Sequence, residues 1–112
     1  MTKHYLQLAS EPFDSIRDGR KVIESRLFDT KRQRIQLNDR LIFTNREAPN
    51  QTLEAKVIGL LRYPTFESLF SDNDPRKFGG PSVEWLIKQI SEFYSLDDQT
   101  QHGVIGIEFE LI

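Results

Sequence analysis

The stretch Gly19-Arg20-Lys21-Val22-Ile23-Glu24-Ser25-Arg26 packs a cation, an acid and a second cation into six residues. In an extended segment side chains alternate, so Glu24 and Arg26 share a face, Ser25 projects to the opposite one, and Lys21 stands at the strand mouth. Charges taken out of water singly are costly, so these are either paired with one another or line a wet cleft. A Glu24–Arg26 pair on an exposed strand contributes only about 0.5 kcal/mol. In a cleft the two cations can hold a phosphate or stabilise an oxyanion. Glu24 becomes a general base only if an apolar wall raises its pKa against the pull of Lys21.

The charge of the chain supports a local anion site. The 112 residues carry 15 Lys plus Arg and 17 Asp plus Glu, a formal charge of -2. Residues 17–46 hold nine bases (Arg17, Arg20, Lys21, Arg26, Lys31, Arg32, Arg34, Arg40, Arg46) and four acids (Asp18, Glu24, Asp29, Asp39), a net of +5 that leaves -7 for the remainder. A basic segment in an acidic protein points to one anion-binding mouth, not to a chain that coats duplex DNA. Lys31, Arg32 and Arg34 follow the motif and are candidate phosphate contacts, with a solvated loop as the plainer alternative. Tyr63 and Phe66 flank Pro64; each is a candidate for stacking a base, a contact worth about 1–3 kcal/mol, or for ordinary packing.

Other chemistries are narrowed by composition. With no cysteine there is no disulfide, no thiolate zinc site and no thiol nucleophile. His4 and His102 are the only imidazoles; they meet only if the terminal strands pair, and they are a weak metal signal. Neither a metal nor a cofactor is expected. No apolar run approaches the ~20 residues of a membrane helix, and the first ten residues, MTKHYLQLAS, lack a signal-peptide stretch, so a cytoplasmic location is expected.

The elements that must position these residues are legible in outline. Residues 4–8, 21–26, 41–45, 53–63 and 105–111 read as strands, the last with Ile105, Ile107, Phe109 and Leu111 on one face and Glu108 and Glu110 on a wet one. Helices are expected from Ser10-Glu11-Pro12 to Gly19, after Thr65, and after Ser82. The last of these is the longest, with Val83, Leu86, Ile87, Ile90, Phe93 and Tyr94 as its apolar stripe. Trp85 falls off that stripe and either packs on the Gly79-Gly80 loop or stands open. The order β-α-β-β-β-α-α-β makes a single α+β domain over residues 1–112. Its five or six mostly antiparallel strands curl into a barrel with helices at the ends.

Pro12-Phe13-Asp14-Ser15-Ile16 followed by the Gly19–Arg26 stretch resembles the G-x-K-x-x-E-x-R signature of ASCH domains, small barrels of the PUA-like superfamily. The resemblance continues through Leu37-Asn38-Asp39-Arg40-Leu41-Ile42-Phe43, where the family has a Gly-Asp turn, through Val57–Tyr63 with Phe66-Glu67-Ser68-Leu69, and through His102-Gly103-Val104-Ile105-Gly106-Ile107. Asn38 stands where the family has glycine, and asparagine also tolerates a left-handed backbone. The resemblance implies a cleft lined by Lys21, Glu24 and Arg26 with RNA or a nucleotide-like ligand as partner. Some relatives are amidohydrolases that deacetylate N4-acetylcytidine, using the motif lysine to activate a threonine three residues on. Here Lys21 is that lysine, but Glu24 occupies the threonine position. A hydrolase or ribonuclease using Lys21 and Glu24 therefore stays open beside the binding function, and the oligomeric state is not specified.

Overall fold

A computed structural model describes residues 1–112. Five strands form one sheet: β1 (Lys3–Leu8), β2 (Ile23–Leu27), β3 (Arg40–Asn45), β4 (Thr52–Tyr63) and β5 (Val104–Leu111), in the order β1-β3-β4-β5-β2. Three neighbouring pairs are antiparallel and β1–β3 is parallel. The sheet curls into a half-barrel whose two edges, β1 and β2, flank an open seam. Side chains cross that seam: Arg26 Nη2 donates to Gln7 O at 3.2 Å, and Lys31 Nζ donates to Tyr5 O at 2.9 Å. Long cations thus satisfy edge carbonyls that no neighbouring strand reaches.

The pattern of the strands explains the curl. In β1, His4, Leu6 and Leu8 point inward and alternate with exposed residues. They join Leu41, Phe43, Ala55, Val57, Ile105, Ile107 and Phe109 in the interior, which Phe13 and Ile16 of helix α1 (Ser10–Arg17) close. A second cluster lies outside the sheet. There helices α2 (Phe66–Ser71) and α3 (Val83–Ile90) pack Phe66, Leu69, Phe70 and Leu86 against Ile23, Leu27 and Val104. Residues Val104–Ile107 are therefore buried on both faces, and the wet side expected for β5 begins only at Glu108. β4 bulges between Val57 and Gly59. Gly59 permits the close approach there, since a Cβ would stand 2.7 Å from Glu108 Oε1.

The structure departs from the sequence pattern at several places. Ser10 lies inside α1 rather than capping it; Ala9 is the cap residue, and Ser10 Oγ donates to Asn45 Oδ1. Asp18 is the C-cap of α1, followed by Gly19 at φ 80°. α3 ends at Ile90, so the stripe does not run to Phe93, which is 66% exposed, and α3 is no longer than α1 at eight residues. A fourth helix, α4 (Leu96–His102), was not anticipated; Ser95 and Asp98 form a capping box, and buried Gln99 accepts the Phe66 amide at 2.9 Å. The terminal strands do not pair, because β5 sits between β4 and β2, so His4 and His102 do not meet. His4 instead contacts Asp39 at 2.8 Å in the interior. No helix is long and apolar enough to cross a membrane.

Candidate functional site

Lys21 is fixed by its surroundings before it meets Glu24. Its amide donates to Ser15 O at the end of α1, it forms an isolated bridge with Phe78, and its aliphatic stem lies against Gly79. Gly79 has φ 86°, and a Cβ there would stand 3.3 Å from Lys21 Cβ, so both conformation and space favour glycine. The segment becomes regular strand only at Ile23, two residues later than the charge pattern suggested, because Lys21 and Val22 bond to the Lys77–Phe78 loop and not to β5 alone.

Glu24 is 3% exposed, and each of its oxygens is doubly engaged. Lys21 Nζ lies 2.8 Å from Oε1, which also accepts the Ser25 amide at 3.1 Å. Arg26 donates to Oε2 through Nε at 3.0 Å and Nη2 at 2.8 Å. The plain alternative, an exposed pair on a strand, is thereby replaced by a buried cation–carboxylate–cation triad. Burial alone would push the Glu24 carboxyl up; the charges of Lys21 and Arg26 and their hydrogen bonds outweigh it and hold the group at about 2. Glu24 is therefore ionised at neutral pH and weakly basic. Arg26, with Nε and Nη2 on Glu24 and Nη2 also on Gln7 O, ties the triad to the seam.

The triad floors a cleft of about 340 Å³ that opens between α1 and α3. It is lined by Gln7, Leu8, Ala9, Glu11 and Ser15 at the junction of β1 and α1, and by Trp85 of α3 with Phe93 and Tyr94 just after that helix. Trp85 is seated on the loop: a Cβ at Gly80 would stand 2.7 Å from Trp85 Cε3, and the residue remains 36% exposed. Ser25 also borders the cleft although its neighbour Glu24 does too, which simple alternation did not anticipate. Volume and lining suit one small ligand, at the lower end of the ~300–1,000 Å³ of such pockets.

The remaining candidates lie elsewhere. Lys31 is near Arg26 on the seam but is not among the lining residues. Arg32 pairs with Asp29 at 2.9 Å, and Arg34 is exposed with no carboxylate within 4 Å. Tyr63 donates its hydroxyl to Asp72, and Phe66 is fully buried between Phe70 and Tyr94, which settles it as core. No three His, Cys, Asp or Glu side chains gather as a metal site. Arg46, whose position in the basic segment carries no signal of its own, also lines the cleft.

A family model for the ASCH domain matches residues 6–112. Among solved structures, the hypothetical protein PH0355 superposes with a TM-score of 0.87 at 31% identity, covering 99% of this chain and 100% of that one. Protein PF0455 from Pyrococcus furiosus gives 0.75 at 25% identity, over 99% and 98% of the two chains. An ASCH protein from Zymomonas mobilis shares the fold at 14% identity and a TM-score of 0.66, covering 97% of this chain and 68% of that one. No curated protein matches the sequence. With its α+β half-barrel and the signature residues gathered at one cleft, the chain belongs to the ASCH domain family.

Proposed function

We propose that this ASCH domain binds RNA or a modified nucleoside in the cleft floored by Lys21, Glu24 and Arg26, with Lys31, Arg32, Arg34 and Tyr63 available to a longer strand beyond it. One observation carries this reading: a buried carboxylate saturated by donors and flanked by two cations, beneath an aromatic wall. Four donors already occupy Glu24, so what the floor offers a ligand is chiefly the remaining N–H groups of Lys21 and Arg26. Those groups select acceptors, such as base carbonyls, ring nitrogens or phosphate oxygens. The exposed aromatic faces supply stacking, which every base accepts.

Hydrolysis of an N4-acylated cytidine at the same site needs a base or a nucleophile. A carboxyl held at about 2 is a poor base, and carboxylate replaces the hydroxyl that the family's amidohydrolases use, so binding is the better-supported function. The decisive test titrates single-stranded RNA oligonucleotides into wild type and the Lys21→Met/Glu24→Gln double variant, which removes one cation without stranding a buried carboxylate. Affinity per folded molecule falls by about tenfold or more, as expected for losing a charge-assisted contact, and it is measured below the variant's own melting transition because the variant also forfeits the stabilisation of the ionised triad. Equal affinity in the two proteins overturns the assignment. Cytidine release from N4-acetylcytidine above the level of the double variant establishes the hydrolase instead.

A further inference from the structure

Of the nine bases between residues 17 and 46, six pair with carboxylates: Arg17, Arg20, Lys21, Arg26, Arg32 and Arg40. Lys31 lies outside the cleft and places one of its three N–H groups on the Tyr5 carbonyl. Arg34 and Arg46 have no carboxylate within 4 Å, and of these two only Arg46 lines the cleft. Its place is fixed by the fold, since the Arg46 amide donates to Leu8 O at 2.7 Å, next to the Gln7 carbonyl that holds Arg26. Arg46 is thus the free guanidinium at the β1 end of the site, and the exposed aromatics Trp85 and Phe93 line the same cleft.

The charge of the cleft restricts what Arg46 can meet. Lys21, Arg26 and Arg46 are balanced on its walls by Glu11, Glu24 and Glu92. A cleft with as many acids as bases does not concentrate polyanions through a general field; an anion there needs a specific contact. A planar guanidinium without a carboxylate partner is suited to bidentate contact with one phosphate. Phe93, thrown outward where α3 stops at Ile90, exposes a ring at the same cleft that Trp85 lines.

Building on the RNA-or-nucleoside reading above, we propose that the ligand unit is a nucleoside monophosphate. Its phosphate rests on Arg46, its base lies against Trp85 and Phe93, and the acceptor edge of the base faces Lys21 and Arg26. The unit is either a free mononucleotide or one nucleotide of a single strand. Within the cleft a single phosphate is neutralised, so a free mononucleotide shows only a weak salt dependence, without the steep slope of a multi-phosphate contact.

The test titrates the full chain with the four ribonucleosides, their 5′-monophosphates and a single-stranded pentanucleotide. The best monophosphate binds about tenfold tighter than its nucleoside, in line with one charge-assisted phosphate contact. Arg46→Gln removes that preference and leaves nucleoside affinity unchanged, and Phe93→Ala weakens nucleoside and nucleotide by the same factor. Binding of free monophosphates identifies a mononucleotide site; binding of the pentanucleotide alone, still sensitive to Arg46→Gln, identifies a nucleotide within a strand. Measurable but equal binding of nucleoside and monophosphate, or pentanucleotide binding or a monophosphate preference that survives Arg46→Gln, overturns the phosphate assignment while leaving the broader function standing. Absence of binding by every ligand in the series overturns both.

Discussion

Two carboxylates are buried in this protein, and their partners differ in kind. Asp39, in the turn before β3, accepts the Thr2 amide at 3.1 Å on Oδ1, and on Oδ2 the Gln36 amide at 3.0 Å and His4 Nε2 at 2.8 Å. Two of its three donors are main chain, and together they join the start of β1 to the Asn38 turn, whose φ is 74°. Glu24 is held mainly by two long cationic side chains whose remaining N–H groups border a cleft. A carboxylate satisfied by amides fixes backbone and has nothing to offer a ligand. One satisfied by cations organises donors that a ligand can then use. Burial and a depressed pKa are common to both, so neither property alone separates structure from site.

The largest effect should come from breaking the structural member. Asp39→Ala strands two amides and His4, at roughly 1–3 kcal/mol for each unpaired group, so a loss of about 4 kcal/mol is expected in urea denaturation. Ligand affinity per folded molecule stays at the wild-type value. A variant that keeps its stability but loses binding would show that the division between the two carboxylates is misdrawn.

A smaller effect, about 3 kcal/mol, comes from titrating the carboxylate at the cleft. Burial pushes the Glu24 carboxyl up and the flanking cations pull it further down, so its folded pKa of about 2 lies below the unfolded 4.5. Between those values the unfolded chain binds the proton more readily. The stabilisation is thus complete above about pH 4.5 and is lost progressively as pH falls toward 2. Asp39 is also depressed, since its hydrogen bonds from His4 and the two amides outweigh the upward push of burial, and it adds to the acid sensitivity. Subtracting the profile of Glu24→Gln from that of wild type isolates the Glu24 contribution. A difference that does not change between pH 5 and pH 2.5 would mean that the triad does not hold Glu24 ionised.

How much of this was readable in the sequence follows the distance over which each feature is specified. The triad was visible because Lys21, Glu24 and Arg26 are neighbours on one short segment, and the Asn38 turn because one residue type reports its backbone. Helix α4 was missed for the opposite reason. LDDQTQH has no apolar stripe, so periodicity is blind to it, although the Ser95–Asp98 spacing does announce its start. Phe93 was assigned to the core because the stripe was counted past the end of its helix. Arg46 could not have been placed, since it reaches the cleft only through the parallel pairing of β1 with β3, which runs Lys3 to Arg40 and Leu8 to Asn45. The pairing of Arg32 with Asp29 was local enough to foresee, as an i,i+3 contact, yet a basic run reads as free charge until its acids are placed.

The smallest effect is expected on the loop. Arg34 is exposed, has no carboxylate partner and lies outside the cleft, so it belongs to neither class of buried charge. Arg34→Ala should change stability by less than about 0.5 kcal/mol, as surface substitutions do. If the basic segment holds a strand running beyond the cleft, the variant weakens a long single-stranded RNA by about twofold to threefold and reduces its salt slope by roughly one, while a mononucleotide is unaffected. Unchanged affinity for both ligands would confine recognition to the cleft and make the +5 segment a means of ordering the seam, with Arg26 and Lys31 covering the open edge of β1. An equal loss for both would carry the binding surface out to Arg34 and weaken the contrast between organised donors in a cleft and free cations on a loop.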